Sequence, residues 1–308
     1  MLSLDELHSL VASLPGLELK WREPLARYTT FRVGGPVFCL VRPRTERALI
    51  GLMQELRRLD APFFILGGGS NLLLPDDAWD GLAIQLDSCS GNLGFDHQTG
   101  ASPAHLTVGA GVRLSRLQRF CLSNRLGGVE FLVGIPGTVG GALVMNAGTR
   151  EGTIADALIA IDVLDETNRR RCISRLELSP AYRSLGLPGN WVVLGCRLKV
   201  AACAAGIQRA RLTAIMRERR RTQPLGWPSA GCIFKNPEGI AAGALIERSG
   251  LKGMRMGDAE VSLKHANWII NRGHARARDV ITLIEHIENR VQRDFGIHLE
   301  REIRIMGS

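Results

Sequence analysis

Residues 134–148 read GIPGTVGGALVMNAG and place glycine at 134, 137, 140 and 141 along an apolar segment. Such a segment keeps one side free of Cβ atoms, so its backbone can lie flat against a planar ligand and hydrogen-bond the ligand's edge. Asn146 adds a side chain that can both donate and accept a hydrogen bond. The other explanation is close packing of two backbones, which glycine also permits. For this stretch taken alone, the two explanations stay open.

A second glycine-rich stretch, ILGGGSNLLLPD at 65–76, follows an apolar run that is typical of a buried strand. Three consecutive glycines permit positive φ and let backbone N–H groups converge on an anion. Position 72 is Leu, and no Gly-Lys-Ser/Thr follows, so this is neither the dinucleotide fingerprint nor a P-loop. A phosphate site and a plain tight turn are both compatible with the loop alone. Two glycine surfaces in one half of the chain favour a cofactor that contains a nucleotide.

The composition indicates a globular protein of two domains. Apolar residues form 45% and charged residues 22% of the 308 residues. Seven cysteines, an odd number without a CxxC pair, favour neither a disulfide framework nor a metal site, and they suit a reducing compartment. Ser3 and Glu6 have the spacing of a helix capping box, which argues against a signal peptide. Five glycines and Pro136 interrupt the uncharged run 131–149, which argues against a membrane-spanning helix.

The formal charge of +9 has more than one explanation. Nucleic-acid binding is one, but no aromatic–basic platform is visible, so we expect no nucleic-acid partner. Small phosphorylated ligands explain the excess of basic residues equally well. A basic binding protein without enzymatic activity stays a third possibility.

Hydrophobic periodicity predicts a mixed α/β region up to about residue 200 and a different pattern beyond it. The predicted helices cover the N-terminus, 44–60, 114–124, 207–222, 241–249 and 279–295. The predicted strands cover the run before Gly67, 82–86, 105–112, 159–165, 191–200, 267–271 and 298–306. The last strand alternates, with Leu299, Ile303 and Ile305 on the buried face and Glu300, Glu302 and Arg304 on the other. A domain boundary is expected near 201–206.

Seven motifs occur in one order: YTTFRVGGP (28–36), ILGGGSNLLLPD, GIPGTVGGALVMNAG, YR (182–183), SAGCIFKNP (229–237), HANWIIN (265–271) and LEREIRIMG (299–307). Together they make the chain similar to the UDP-N-acetylenolpyruvoylglucosamine reductases, from about residue 20 to 307. The resemblance implies an α+β protein with a two-subdomain FAD-binding fold of the vanillyl-alcohol-oxidase type and a C-terminal α+β substrate-binding domain. The expected division is 1–203, with subdomains of about 1–86 and 87–203, and 204–308. The lack of an inserted segment resembles the family's shorter subgroup.

The resemblance also implies the ligands and the reaction. Hydride passes from NADPH, the co-substrate, to non-covalently bound FAD and then to the methylene carbon of UDP-N-acetylglucosamine enolpyruvate, giving UDP-N-acetylmuramate for peptidoglycan. The protein is thus expected to be a monomer in the bacterial cytoplasm that serves cell-wall biogenesis, cell shape and division. The FAD-contacting residues implied are Gly67, Gly68, Gly69, Ser70, Asn71, Gly134, Ile135, Pro136, Gly137, Thr138, Gly140, Asn146, Ala147 and Gly148.

Three residues match the family's catalytic positions. Arg183 offers a planar, permanently charged fork for the substrate carboxylate, although without the resemblance it reads as an ordinary surface residue. Glu302 matches the family's catalytic glutamate. The alternative interpretation is that its carboxylate only forms an exposed ion pair. Cys232 stands where many relatives carry the serine that protonates the intermediate; the alternative is a buried, inert thiol. The implied substrate-binding residues are Tyr182, Arg217, Arg221, Lys235, Asn236 and Arg304, with Arg219 and Arg220 as competitors for the diphosphate.

An FAD-dependent oxidase of the same fold, acting on an alcohol or a sugar, is the alternative enzyme. The motifs SAGCIFKNP and REIRIMG argue against it. An oxidase is distinguished by rapid reoxidation with oxygen and by indifference to the enolpyruvyl nucleotide.

Overall fold

The computed structural model describes residues 3–96 and 104–306. Its internal contacts divide the chain into two compact units that interleave along the sequence. The first unit contains the described residues of Met1–Trp21, Cys39–Gly68 and Asp80–Met216, and the second those of Arg22–Phe38, Gly69–Trp79 and Arg217–Ser308. Two early segments therefore group with the C-terminal third of the chain. The expected boundary at 203/204 between an FAD-binding region and a substrate-binding domain stays a prediction.

Eight α-helices occur in the described part of the chain: α1 (Leu4–Ser13), α2 (Glu46–Arg58), α3 (Leu114–Ser123), α4 (Val139–Val144), α5 (Ile154–Ala157), α6 (Ala205–Thr222), α7 (Ala242–Arg248) and α8 (Ala277–Phe295). The helices expected from periodicity are confirmed as α1, α2, α3, α6, α7 and α8. Neither α4 nor α5 was predicted, because α4 is short and has glycine at 140 and 141, which disfavour a helix.

The helix ends follow from their capping residues. The Ser3 hydroxyl accepts a hydrogen bond from the Glu6 N–H, and the Glu6 carboxylate accepts one from the Ser3 N–H, which completes the predicted capping box of α1. The Thr45 side chain caps α2 by accepting from the Ala48 N–H. Gly296 ends α8 in the left-handed conformation, with φ of 70°.

The described residues form short and long β-strands: β1 (Leu17–Pro24), β2 (Pro36–Pro43), β3 (Phe63–Ile65), β4 (Leu72–Leu73), β5 (Trp79–Ile84), β6 (Leu93–Phe95), β7 (Ala104–Gly109), β8 (Leu126–Gly127), β9 (Gly148–Thr149), β10 (Gly152–Thr153), β11 (Leu158–Leu164), β12 (Arg170–Ser174), β13 (Val192–Ala202), β14 (Ser229–Cys232), β15 (Arg255–Met256), β16 (Ala259–Val261), β17 (Trp268–Asn271) and β18 (Arg304–Ile305).

The first unit is built mainly on two sheets. One has the strand order β1-β2-β5-β3, with β3 parallel to β5. The other has the order β12-β11-β13-β7-β6, is antiparallel, and adds β8 against β13. The apolar runs predicted near 159–165 and 191–200 become the central strands β11 and β13, whose residues are mostly buried. Because β3 ends at Ile65, it leads directly into the first glycine loop.

The second unit places an antiparallel sheet of order β14-β17-β16-β15 and helix α8 around one hydrophobic core. The apolar face of α8 supplies Val280, Ile284, Ile287 and Val291, each no more than 1% exposed. Residues from early in the sequence, such as Phe31, belong to the same core. This burial explains why 22–38 and 69–79 belong to the C-terminal unit.

The strand predicted over 298–306 was wrong in its length. Leu299 and Ile303 are buried and Glu300 and Arg304 are exposed, but Glu302 and Ile305 are both half-buried, so the predicted alternation holds only in part. Only β18 is a regular strand, however, and it pairs in parallel with β4. The segment changes partner: the N–H of Glu302 donates to residue 233, and that of Arg304 donates to Asn71. This change of partner interrupts the ladder.

We expect Asp76→Ala to lower the free energy of unfolding by about 1–2 kcal/mol, the usual effect of losing a helix cap. The Asp76 carboxylate accepts hydrogen bonds from the backbone N–H groups of Ala277 (2.7 Å) and Arg278 (3.1 Å) in the first turn of α8. Urea unfolding measures the change. The exposed neighbour Asp77, exchanged for Ala, is the control, and equal losses in both variants would show that this cap does not stabilise α8.

Candidate active site

The two glycine-rich loops of the first unit meet backbone to backbone. A Cβ atom built on Gly68 would lie 2.4 Å from the Cα of Gly137, and one on Gly67 would lie 2.8 Å from the Thr138 Oγ1. Both distances are shorter than real Cβ contacts, so only glycine allows this approach. Close packing of two backbones, one of the two explanations that the sequence left open, therefore accounts for these glycines.

The same segment also leaves bare backbone accessible. Gly134 and Gly141 are exposed and Gly137 is half-buried. A Cβ on Gly141 would have no neighbour closer than 3.7 Å. Positive φ at Gly134 (74°) and Gly137 (132°) turns the chain here without side chains. An accessible strip of backbone without Cβ atoms fits a flat cofactor such as the flavin of FAD.

The remaining residues of the first loop belong to the second unit. Gly69 has φ of 60°, and a Cβ on it would lie 2.1 Å from the Tyr28 carbonyl oxygen. The Asn71 side chain donates to the Glu302 carbonyl oxygen (3.0 Å), and the backbone carbonyl of Asn71 accepts from the Arg304 N–H (3.1 Å). Asn71 thus fixes the backbone on both sides of Ile303.

At its far end, the run 134–148 has structural roles of its own. Gly148 lies in the β9–β10 hairpin, where a Cβ would come 2.3 Å from the Gly152 carbonyl oxygen. The Asn146 amide is buried and bonds to two backbone groups of the first unit. Neither observation tests the expected contacts with FAD, which stay a prediction for Asn146, Ala147 and Gly148.

Tyr182 and Arg183 occupy a tight turn of the first unit. Ala181 and Ser184 close the turn with two backbone hydrogen bonds of 2.8 and 3.2 Å. Arg183 is half-buried and adopts φ of 60°, an uncommon conformation for a long side chain. Its guanidinium carbon lies 5.0 Å from the centroid of the exposed Tyr182 ring, within cation–π range. Two residues predicted for catalysis and substrate binding therefore contact each other.

In the second unit, the segment that bears Cys232 is bound along both of its sides. On one side, the Asn267 carbonyl accepts from the Ile233 N–H (2.9 Å), and the Asn267 amide bonds to both the N–H and the C=O of Phe234. On the other side, the Ile233 carbonyl accepts from the Glu302 N–H (2.7 Å). The backbones next to Cys232 and Glu302 are thereby joined directly. Sequence reasoning missed Asn267, whose only signal was an asparagine within an apolar run.

Local geometry turns the chain at Cys232. The β14–β17 ladder is irregular between Ser229 and Cys232, and Gly231 has φ of 82°. Such a bulge re-aims the following side chain. Cys232 is half-buried, and so is Glu302, whose Oε2 atom is shielded from solvent.

One arginine of α6 interacts electrostatically with Cys232. Burial lowers the pKa of the Arg219 guanidinium, and the smaller Coulombic interaction with Cys232 raises it. Arg217 and Arg221 are exposed, and Arg221 forms an ion pair with Glu218 at 2.7 Å. The residue that sequence reasoning named only as a competitor is therefore the one that interacts with Cys232. Helical spacing alone did not distinguish Arg219 from its neighbours.

The other predicted substrate residues of the second unit lie near this segment in sequence but differ in environment. Lys235 forms an ion pair with Glu300. The Asn236 side chain accepts from the Ala242 N–H (3.0 Å) at the start of α7. Arg304 is exposed. Their contacts with substrate stay predictions.

The seven cysteines are all free thiols, but their environments differ. Burial raises the pKa of Cys39 and Cys121 to about 12, and it also raises the pKa of Cys196. Those three thiols are inert at neutral pH. Cys232 instead is half-buried and interacts electrostatically with Arg219.

We expect Gly68→Ala to destabilise the first unit by about 1–3 kcal/mol, because the new methyl would overlap the Gly137 backbone. We also expect loss of most bound FAD, since the loops would move apart. Thermal unfolding and the ratio of flavin to protein absorbance measure the two effects. The control is Gly51→Ala in α2, where a Cβ meets nothing within 4 Å. Full flavin content in Gly68→Ala would contradict a role for this loop contact in FAD binding.

Within residues 3–96 and 104–306, no three His, Cys, Asp or Glu side chains are grouped so that they could hold a metal ion. In the same ranges, no helix combines the length and the apolar character needed to cross a bilayer.

Two family models match the chain. Residues 38–171 match an FAD binding domain. Residues 223–306 match the C-terminal domain of UDP-N-acetylenolpyruvoylglucosamine reductase. These matches, with the mixed helices and strands of both units, confirm the predicted α+β fold class of an FAD-binding domain followed by a C-terminal domain.

Relatives match along nearly the whole sequence. The UDP-N-acetylenolpyruvoylglucosamine reductase of Syntrophobacter fumaroxidans is 52% identical over 97% of this chain and 86% of its own length. That of Moorella thermoacetica is 42% identical over 94% of both chains. The crystal structure of the reductase from Thermus caldophilus superposes with a TM-score of 0.76 at 39% identity, covering 94% of this chain and 98% of the other. The chain therefore belongs to the UDP-N-acetylenolpyruvoylglucosamine reductase family.

Proposed function

We propose that this chain is an NADPH-dependent flavoenzyme that reduces UDP-N-acetylglucosamine enolpyruvate to UDP-N-acetylmuramate in peptidoglycan precursor synthesis. Its relatives' names and the FAD binding domain support the reaction class. One geometric observation supports the mechanism most directly: the hydrogen bond from the Glu302 N–H to the Ile233 carbonyl, next to Cys232. We further propose a monomer in the bacterial cytoplasm, with FAD binding in 1–203 and substrate binding in 204–308.

The bare backbone of the two loops suits non-covalent FAD, which when bound relays hydride from NADPH to the enolpyruvyl methylene carbon. The residues proposed to hold it are the loop residues at 67–71 and, from the second stretch, Gly134, Ile135, Pro136, Gly137, Thr138, Gly140, Asn146, Ala147 and Gly148. Their small side chains supply a surface that a flat ring can approach, while the redox chemistry belongs to the cofactor.

Arg183 is proposed to bind the enolpyruvyl carboxylate. Hydride addition to the methylene carbon leaves negative charge on the adjacent carbon, and that charge spreads into the carboxylate. A guanidinium at the carboxylate stabilises this charge most where it develops, in the transition state. The stacked Tyr182 ring restricts the guanidinium's freedom, which favours a fixed orientation.

Cys232 is proposed to give its thiol proton to the carbanionic carbon, so that an S–H bond breaks and a C–H bond forms. The Arg219 guanidinium stabilises the thiolate that remains until solvent returns a proton. Glu302, whose backbone N–H donates to the residue after Cys232, is proposed to act as the second catalytic group of this unit. Tyr182, Arg217, Arg221, Lys235, Asn236 and Arg304 are proposed to contact the rest of the substrate.

Anaerobic stopped-flow absorbance separates the two halves of the proposed reaction. We expect NADPH to bleach the flavin of Cys232→Ala at the normal rate, and the enolpyruvyl nucleotide to restore its colour at least about 100 times more slowly. Cys232→Ser keeps a proton donor and should stay within about tenfold of the unaltered enzyme. Cys203→Ala, which removes another half-buried thiol, is the control.

Two results would contradict the proposal. Near-normal recovery of colour in Cys232→Ala would remove the thiol from the proton-donor role. Rapid recovery with oxygen, combined with no response to the enolpyruvyl nucleotide in the unaltered protein, would identify an oxidase instead.

A further inference from the structure

Asn146 lies at the centre of a small hydrogen-bond network in the first unit. Its side chain is 7% exposed, and its backbone adopts φ of 40°. The Nδ2 atom donates to the Ala181 carbonyl oxygen (3.1 Å), and the Oδ1 atom accepts from the Ala155 N–H (3.3 Å). One amide thus joins the end of the second glycine stretch to α5 and to the turn at 181–184.

The turn that receives this bond is the one that presents Arg183. The Ala181 carbonyl accepts from Asn146 and also from the Ser184 N–H (3.2 Å). Arg183, two residues after that carbonyl, has a left-handed backbone, which a long side chain adopts only where its surroundings enforce it. A bond to Ala181 is well placed to enforce it.

The chemistry of the site requires asparagine. The Ala155 N–H needs an acceptor and the Ala181 carbonyl needs a donor, and an amide supplies both from one side chain. Aspartate supplies only acceptors when ionised. Asparagine also tolerates a positive φ better than most residues other than glycine. Glycine would accept the backbone conformation but would make neither bond.

The contact on the other side of Asn146 is also anchored. The Ala155 carbonyl accepts from the Arg175 Nε atom (3.1 Å), and the Thr153–Asp156 capping box fixes the start of α5. The Asn146 amide is therefore held between a fixed helix start and the Arg183 turn, so the turn is the partner free to respond if the amide is changed.

We propose that Asn146 is a positioning residue whose amide holds the 181–184 turn in the conformation that presents Arg183. This inference rests on the proposed function of Arg183, and it gives the Asn146 side chain a role besides the predicted contact with FAD. Arg183 touches the substrate in that proposal, whereas Asn146 acts through the turn.

The isosteric variant Asn146→Asp tests the proposal, because it keeps the acceptor for Ala155 and turns the donor to Ala181 into a repelling oxygen. Hydrogen–deuterium exchange on the FAD-loaded enzyme is the first measurement. We expect exchange of the Ala181 and Ser184 amides to become at least about ten times faster, with peptides of the 66–70 loop unchanged. Asn146→Gly, which suits the backbone but makes neither bond, should give the same result if Asn146→Asp fails to fold.

The second measurement is a double-mutant cycle on reoxidation of the flavin by the enolpyruvyl nucleotide. We expect Asn146→Asp to slow this step about 30-fold in the native background and less than about threefold in the Arg183→Ala background. Reoxidation rates are compared per bound FAD, because Asn146 is also proposed to contact the cofactor. Asn124→Asp is the matched control, since Asn124 also donates from Nδ2 to a backbone carbonyl, that of Phe120, at an exposed site.

Unchanged exchange at 181–184, or equal slowing in both backgrounds, would each overturn the inference. The failure of the proposed function looks different. If Arg183→Ala itself leaves reoxidation at its normal rate, Arg183 is not the carboxylate ligand. The exchange measurement still decides whether Asn146 holds the turn.

Discussion

The hydrogen bond from the Glu302 N–H to the Ile233 carbonyl is the contact on which the proposed chemistry depends. It joins the backbone beside Cys232, the proposed proton donor, to the backbone that bears the Glu302 carboxylate. Asn267 binds the opposite side of the same segment through three bonds to Ile233 and Phe234. With both sides of the segment bound, the backbones that carry the two proposed catalytic side chains are held to each other.

In the first unit, too, contacts of the backbone hold the candidate functional segments together. Its two glycine stretches approach each other so closely at Gly68 and Gly137 that neither tolerates a Cβ. The second stretch ends in Asn146, whose amide reaches the turn of Arg183. A loop suited to a cofactor and the turn that bears Arg183, the proposed carboxylate ligand, are therefore parts of one connected backbone arrangement. Preorganisation of this kind matters because fixed donors and charges need no rearrangement as the reaction proceeds.

The sequence predicted what local rules determine. The capping box of Ser3, the apolar face of α8 and the stop at Gly296 all depend on residues within a few positions of each other. What it could not predict depends on partners far apart in sequence. The change of partner that shortens β18 and the choice of Arg219 beside Cys232 leave no periodic signal. The motif resemblance supplied the candidate functional residues, but the hydrogen bonds of Asn146 became visible only in the fold.

The position of one sulfur atom decides the proposed mechanism. A crystal structure of the FAD-loaded protein with UDP-N-acetylglucosamine enolpyruvate would show that position directly. We expect the Cys232 Sγ to lie within about 4 Å of the enolpyruvyl carbon that accepts the proton, with the Glu302 carboxylate on the same side of the ligand. A sulfur turned away from the ligand, with another acid or an ordered water in its place, would contradict the mechanism.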